Sequence, residues 1–265
     1  VERALGRELP NEAPITPVPA AVSAASKPIP QPVALQRSST AATEPLSQMR
    51  KTIADRMVES ATTIPHFYVT SKVNVGALLH LKDTLKPLPQ YEGLTFNHLI
   101  MRGVALALRA FPKLNSSYRD ASLFQPQDIN IGIITAVTDG LLIPVVKSCD
   151  QLALADLTAE ARALVQRARS GRPKSTDLVG ATFCISNMGM FAVESFTAII
   201  NPGNGAILAA SSIEAEPVIA NGTIEPGKVC RFTLSVDHRI IDGVMAGEFL
   251  TELKRLLEEP VLLLA

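Results

Sequence analysis

The chain has no tryptophan, few aromatic residues and only three cysteines in 265 residues. Cys149, Cys184 and Cys230 contain no Cys-x-x-Cys pair and are odd in number, so a closed disulfide framework is excluded and reduced thiols are expected. Cys184 and Cys230 fall inside apolar strand patterns, where a thiol is usually inert. Net charge is missing as well, with 25 Lys and Arg against 25 Asp and Glu. The basic residues are scattered, which leaves no electrostatic footprint for nucleic acid. No run approaches the roughly 18 apolar residues of a membrane span, and no hydrophobic signal core opens the chain. There is no internal repeat. No glycine loop precedes a helix in a phosphate-cradling pattern; Asn204 and Gly205 read as a turn. His66, His80 and His98 lack ligand spacing, so no metal is expected.

What is present divides sharply near Ser47. Residues 1–46 are dominated by Ala, Pro, Ser and Thr without apolar period, a composition that cannot bury enough surface to offset its ordering entropy. They are expected to be a semi-extended linker. The chain starts at Val1 rather than methionine, as a fragment or processed form would.

The remaining 47–265 carries mixed helix and strand signals. Ser47 can cap a helix with Met49, Ile53 and Met57 on one face. TIPHFYVTSKVNV alternates as a strand, and Asn97 can cap a helix that Pro112 stops. DINIGIITAVTDGLLIPVVKS reads as two strands around Asp139-Gly140, followed by a helix ending near Gly171. ATFCIS, GAILAAS and VCRFTLSV read as strands, the last with one face buried and one polar. Leu250, Leu253, Leu256 and Leu257 mark a final helix. Without a strict βαβ rhythm, the pattern supports an α+β or mixed-sheet architecture.

Chemistry concentrates in Asp237-His238-Arg239-Ile240-Ile241-Asp242-Gly243, at the exit of a strand. A histidine titrates near neutrality, and a thiol of pKa about 8.5 needs a base to attack a thioester at pH 7. A lone Asp-His-Arg tripeptide is more often an ordinary ion-pair loop. The wider sequence resembles the catalytic domain of the dihydrolipoamide acyltransferases, core subunits of 2-oxoacid dehydrogenase complexes. The resemblance runs through RKTIADRM, TIPHFYV, FPKLNSSY, DGLLIPVV, TFCISNMGMF, AIINP and DHRIIDG.

That resemblance implies a two-layer fold shared with chloramphenicol acetyltransferase. His238 would be the general base and Ser186 in CISNMGMF the donor to the developing oxyanion. Asp242, four residues after His238, can orient the turn as a structural carboxylate or pair with an arginine, Arg50 or Arg56. It implies coenzyme A as a substrate and a lipoyl group carried outside this chain, with no metal. It further implies trimers, in which histidine and serine come from different chains, assembling into a cubic or icosahedral core. The decarboxylase and dihydrolipoamide dehydrogenase would bind through other domains, and Val1–Gly6 would be the tail of the subunit-binding domain. ISNMGMF and AIINP look closest to the pyruvate branch, hence acetyl, although Ala192 replaces that branch's usual glycine. The compartment implied is bacterial cytoplasm, mitochondrial matrix or plastid stroma.

Competing readings are a free-standing acetyltransferase, an inactive scaffold and a thiol hydrolase. The linker and the presence of His238 argue against the first two. Pro260 followed by VLLLA is expected to end a helix and leave an apolar tail as a contact surface, or else to fold it back onto its own core.

Overall fold

Ser47 begins the first helix as the sequence predicts: its hydroxyl accepts a hydrogen bond from Arg50 N at 3.2 Å, satisfying one free amide of α1 (Gln48–Thr63). Met49 and Ile53 of that helix rest beside Gly140, yet Met49 stays exposed and Ser60 is the only buried residue of α1. In the computed structural model the described residues are 44–265 except Asp139 and Asn221. The linker expected over 1–46 lies outside them but for its last three residues, and the subunit-binding-domain tail at 1–6 lies wholly outside.

Next in the chain are β1 (His66–Asn74), α2 (Gly76–Leu85), α3 (Phe96–Ala110), β2 (Ser117–Arg119) and β3 (Ser122–Phe124). Four short strands come after these: β4 (Ile131–Ile133), β5 (Thr135–Val137), β6 (Gly140–Leu142) and β7 (Val145–Val146). The chain closes with α4 (Leu154–Arg169), β8 (Phe183–Asn187), β9 (Ala206–Ala220), β10 (Thr223–Asp237), α5 (Gly243–Glu258) and a 3₁₀ turn at Pro260–Leu264.

Six strands form one mixed sheet in the order β1-β10-β9-β8-β4-β7. β8 runs parallel to both neighbours and the other pairs are antiparallel. Helices cover one face: Leu78, Leu99, Val104, Leu157, Phe249 and Leu253 meet Phe183, Leu208, Phe232 and Leu234 in the main core. Ile64, Cys184, Ala198, Ile200, Ile207 and Ala209 form a smaller cluster. The expected polar face of β10 is therefore corrected, because Thr233, Ser235 and Asp237 are buried along with their apolar neighbours.

Three local readings change. The α3 cap is Thr95, not Asn97: Thr95 N donates to His98 Nδ1 at 3.2 Å, closing a capping box with histidine in the usual glutamate position. The two strands read around Gly140 are four, with β5 paired to β6 and β4 to β7. The β9–β10 hairpin is longer than its apolar cores suggested, reaching Ala220 and Thr223. Gly171 takes φ +71° just beyond α4, the left-handed stop the sequence predicts there.

Candidate active site

The exit of β10 is built around Asp237, which is 1% exposed. Its backbone N–H donates to Gly205 O at 2.8 Å, and its carbonyl accepts from Ile240 N and Ile241 N, which turns the chain sharply. Its carboxylate accepts from Arg239 backbone N at 3.1 Å and, bidentate, from Arg239 Nε at 2.9 Å and Nη2 at 2.7 Å. The pair raises the Arg239 pKa further above its ordinary value, and the guanidinium carbon lies 4.0 Å from the centre of the Tyr118 ring.

His238 sits between these two residues with its side chain exposed. Its backbone N–H donates to Pro65 O at 3.0 Å, and its ring meets Phe67 edge-on with centres 4.9 Å apart. Among the described residues neither ring nitrogen is hydrogen-bonded, so both are open to a substrate or a neighbouring chain. The imidazole is thus held by its backbone and one aromatic wall, with its basic atoms free.

Asp242 is not paired with Arg50 or Arg56. It is the N-cap of α5, accepting from Met245 N at 2.8 Å, and it makes no ion pair among the described residues. A carboxylate at a helix start is favoured by the free amides and the helix dipole, which explains the choice of partner.

Ser186 is half-buried on β8, opposite Ala209, and its hydroxyl forms no hydrogen bond among the described residues. The bland expectation, that it bonds its own backbone, does not hold. Asn187 does behave that way, with its side-chain oxygen accepting from Gly189 N at 2.7 Å. The ladder continues from Ala209 to Thr233, five residues before His238 on β10. At about 3.3 Å per residue and about 4.8 Å per strand, Ser186 and His238 of one chain lie roughly 15–20 Å apart. A single chain does not bring them together.

The segment after Ser186 carries exposed Met190 and Phe191, then returns through a firmly anchored Ile200. Ile200 O accepts from Ser60 Oγ at 2.6 Å, and Ile200 N donates to His66 Nε2 at 3.0 Å. His66 Nδ1 is 2.8 Å from Ile64 O, which assigns its proton to Nδ1. Sequence reasoning saw only an unassigned histidine there; the geometry makes it a clamp.

Sequence and structural likeness show the family. The family described as 2-oxoacid dehydrogenases acyltransferase (catalytic domain) matches residues 38–265. This chain belongs to that family. A relative from Schizosaccharomyces pombe, the mitochondrial dihydrolipoyllysine-residue acetyltransferase component of its pyruvate dehydrogenase complex, is 39% identical over 82% of this chain and 46% of its own length. The chain spans about half the length of the curated relatives it matches. Among solved structures, the cubic core of a pyruvate dehydrogenase multienzyme complex is 30% identical with TM-score 0.82, covering 90% of this chain and 100% of its own. The dihydrolipoamide acetyltransferase of Azotobacter vinelandii, studied for the roles of a serine, a histidine and an asparagine in its catalytic mechanism, is 29% identical with TM-score 0.82 over the same shares.

Within this family member, the features outside the site are quiet. Burial pushes the thiols of Cys149 and Cys184 up to about 12 and that of Cys230 up to about 11. Among the described residues no three of His, Cys, Asp and Glu gather as a metal-binding group, and no helix is long and apolar enough to cross a membrane. A cleft of about 650 Å³ beside Lys72, Val218 and Lys254 lies at the far end of β1 from His238, with both lysines engaged by Glu216 or Glu258.

Proposed function

We propose that this chain transfers an acyl group, acetyl by preference, between a dihydrolipoyl thiol and coenzyme A, with His238 as the general base. One observation carries the reading. In the Azotobacter enzyme the histidine lies 52 residues after the serine and the asparagine four after the histidine, which is the spacing of Ser186, His238 and Asp242 here. Asp242 stands for the asparagine, and a carboxylate can cap the following helix as an amide would.

His238 Nε2 accepts the proton of the attacking thiol and returns it to the departing one. The free Ser186 hydroxyl donates to the thioester oxygen as negative charge grows there, a contribution of roughly 10²–10³-fold. Since one chain separates the two groups, the working site takes His238 from one subunit and Ser186 from its neighbour. Trimers of this kind, joined into a cubic or icosahedral core, fit the likeness to a cubic core.

Residues 47–265 are then the catalytic domain, and 1–46 the linker, with the tail of a subunit-binding domain at 1–6. The lipoyl group, the decarboxylase and dihydrolipoamide dehydrogenase reach the core through those other domains. Relatives include mitochondrial and bacterial proteins, so the working compartment is a bacterial cytoplasm, the mitochondrial matrix or the plastid stroma. The acetyl preference draws on the named acetyltransferase relatives.

The test is transfer from acetyl-CoA to free dihydrolipoamide by the wild type and by His238→Ala. The variant should fall at least about a hundredfold while remaining assembled. Wild-type turnover in the variant sinks the mechanism, and a higher kcat/KM for succinyl-CoA or isobutyryl-CoA overturns the acyl assignment.

A further inference from the structure

We infer that Tyr118, on the β2–β3 hairpin, is a positioning residue for His238, acting through the Arg239–Asp237 pair; the inference rests on the reading of His238 as general base. Among the described residues no hydrogen bond, ion pair or ring contact joins this hairpin to His238, so its effect is indirect. Asp237 is buried and both its carboxylate oxygens are engaged by Arg239, so the two residues flanking His238 are fixed to each other. Arg239 remains partly open, with 31% of its side chain exposed, and the Tyr118 ring lies over it at 4.0 Å. A cation on an aromatic face is attracted by the ring and shielded from water that would compete for the carboxylate.

A separate backbone contact holds the hairpin at that position. A β-carbon on residue 205 would stand 2.1 Å from Ser116 O, so only glycine permits the root of β2 to approach this closely. The same Gly205 accepts the Asp237 N–H through its carbonyl. The base of the hairpin and the exit of β10 therefore share one residue, and Tyr118 is presented to Arg239 from a fixed origin. Arg119 lies over Phe124 at 3.8 Å across the hairpin, which ties its two strands together. Removing the Tyr118 ring frees Arg239 to swing into solvent and loosens the turn on which the imidazole is mounted. Misplacement of a reacting group by about 1 Å can cost on the order of 10²-fold in rate.

The experiment compares wild type, Tyr118→Phe, Tyr118→Leu and His238→Ala in the acetyl-CoA and dihydrolipoamide assay, with thermal midpoints for each. Tyr118→Leu should lower kcat on the order of tenfold, leaving KM for both substrates and the thermal midpoint near wild type. Tyr118→Phe keeps the ring face and should retain kcat. Unchanged kcat in Tyr118→Leu overturns the inference, as does a loss that appears in KM, that tracks a fall in thermal midpoint, or that Tyr118→Phe shares. An inactive His238→Ala beside an unimpaired Tyr118→Leu removes the positioning role alone, whereas an active His238→Ala removes the general-base reading itself.

Discussion

Ser186 and His238 are two strands apart and out of step in the same sheet: Ser186 is level with Thr233, and His238 lies beyond the end of β10. No side-chain rotation closes such a gap. Co-expression of Ser186→Ala with His238→Ala chains should therefore recover activity that neither variant shows alone. If each site draws one residue from each of two chains in a ring, random equal mixing leaves about one site in four intact. An assay of purified mixed oligomers near that fraction fits a shared site. Mixed oligomers as inactive as the two parents would place the whole site in one chain.

His98 predicts how stability responds to acid. Burial, reinforced by the charge of Arg162, lowers its pKa to about 4, and its neutral Nδ1 accepts from Thr95 N. As pH falls from about 6.5 towards 4, the unfolded chain takes up a proton that the folded chain refuses. Stability is lost across that window and untouched above it, by up to about 3 kcal/mol. His98→Gln keeps a cap acceptor but cannot titrate. Its denaturation midpoints should fall less between pH 7 and 4.5 than those of the wild type; equal slopes would refute the assignment.

The C-terminal segment folds back onto its own core and leaves two apolar side chains exposed. Leu263 is fully buried in its own core, and the buried Arg102 donates to the carbonyls of Leu263 at 3.2 Å and Ala265 at 2.6 Å. Val261 is 69% exposed and Leu264 44%. Deleting 261–265 would remove two of the three backbone acceptors of the Arg102 guanidinium, so point variants separate the roles better. Leu263→Ala should cost about 2–5 kcal/mol of stability. Val261→Asp with Leu264→Asp should leave a folded, active trimer that light scattering finds below full particle mass. Full-size particles from the double variant would remove the tail from the assembly contact.

Asp120 and Ala121 join β2 to β3 with φ of 47° and 57°. A two-residue hairpin turn of this hand suits Asp-Gly, and alanine is strained in it. Ala121→Gly should stabilise the protein by about 0.5–1 kcal/mol, visible as a raised midpoint in chemical denaturation. A lowered midpoint would show that the glycine's added freedom in the unfolded chain wins instead.

Elements whose apolar residues face the core were readable in advance. α5 buries Leu250, Leu253, Leu256 and Leu257, the stripe the sequence displays. The far half of the β9–β10 hairpin was not, because Glu214, Pro217, Glu225 and Pro226 interrupt any apolar rhythm. That half pairs with no third strand, so prolines that would break a central ladder are tolerated. Of the two roles open to Asp242, orienting the turn or pairing with an arginine, the structure takes the first, because a helix start offers free amides for the carboxylate to accept from. Asp237 is named in the motif without a role of its own and Gly205 only as part of a turn: one pairs with its second neighbour, and the other matters through a backbone contact with Ser116 that no local pattern encodes.

The three buried cysteines have a chemical consequence under the proposed reaction, in which both carriers are thiols. With pKa values near 11–12, only roughly one in 10⁴–10⁵ of these groups is thiolate at neutral pH. Cys184 Sγ also lies against Asn204 Oδ1 at 3.3 Å inside the smaller core cluster, away from solvent. A surface thiolate would compete with the lipoyl arm and coenzyme A as an acyl acceptor and would exchange with oxidised lipoyl disulfide. Holding its own sulfur protonated and out of reach leaves the protein a bystander to thiol exchange, so that in the proposed reaction an acyl group would pass between the two carriers without becoming trapped on the protein.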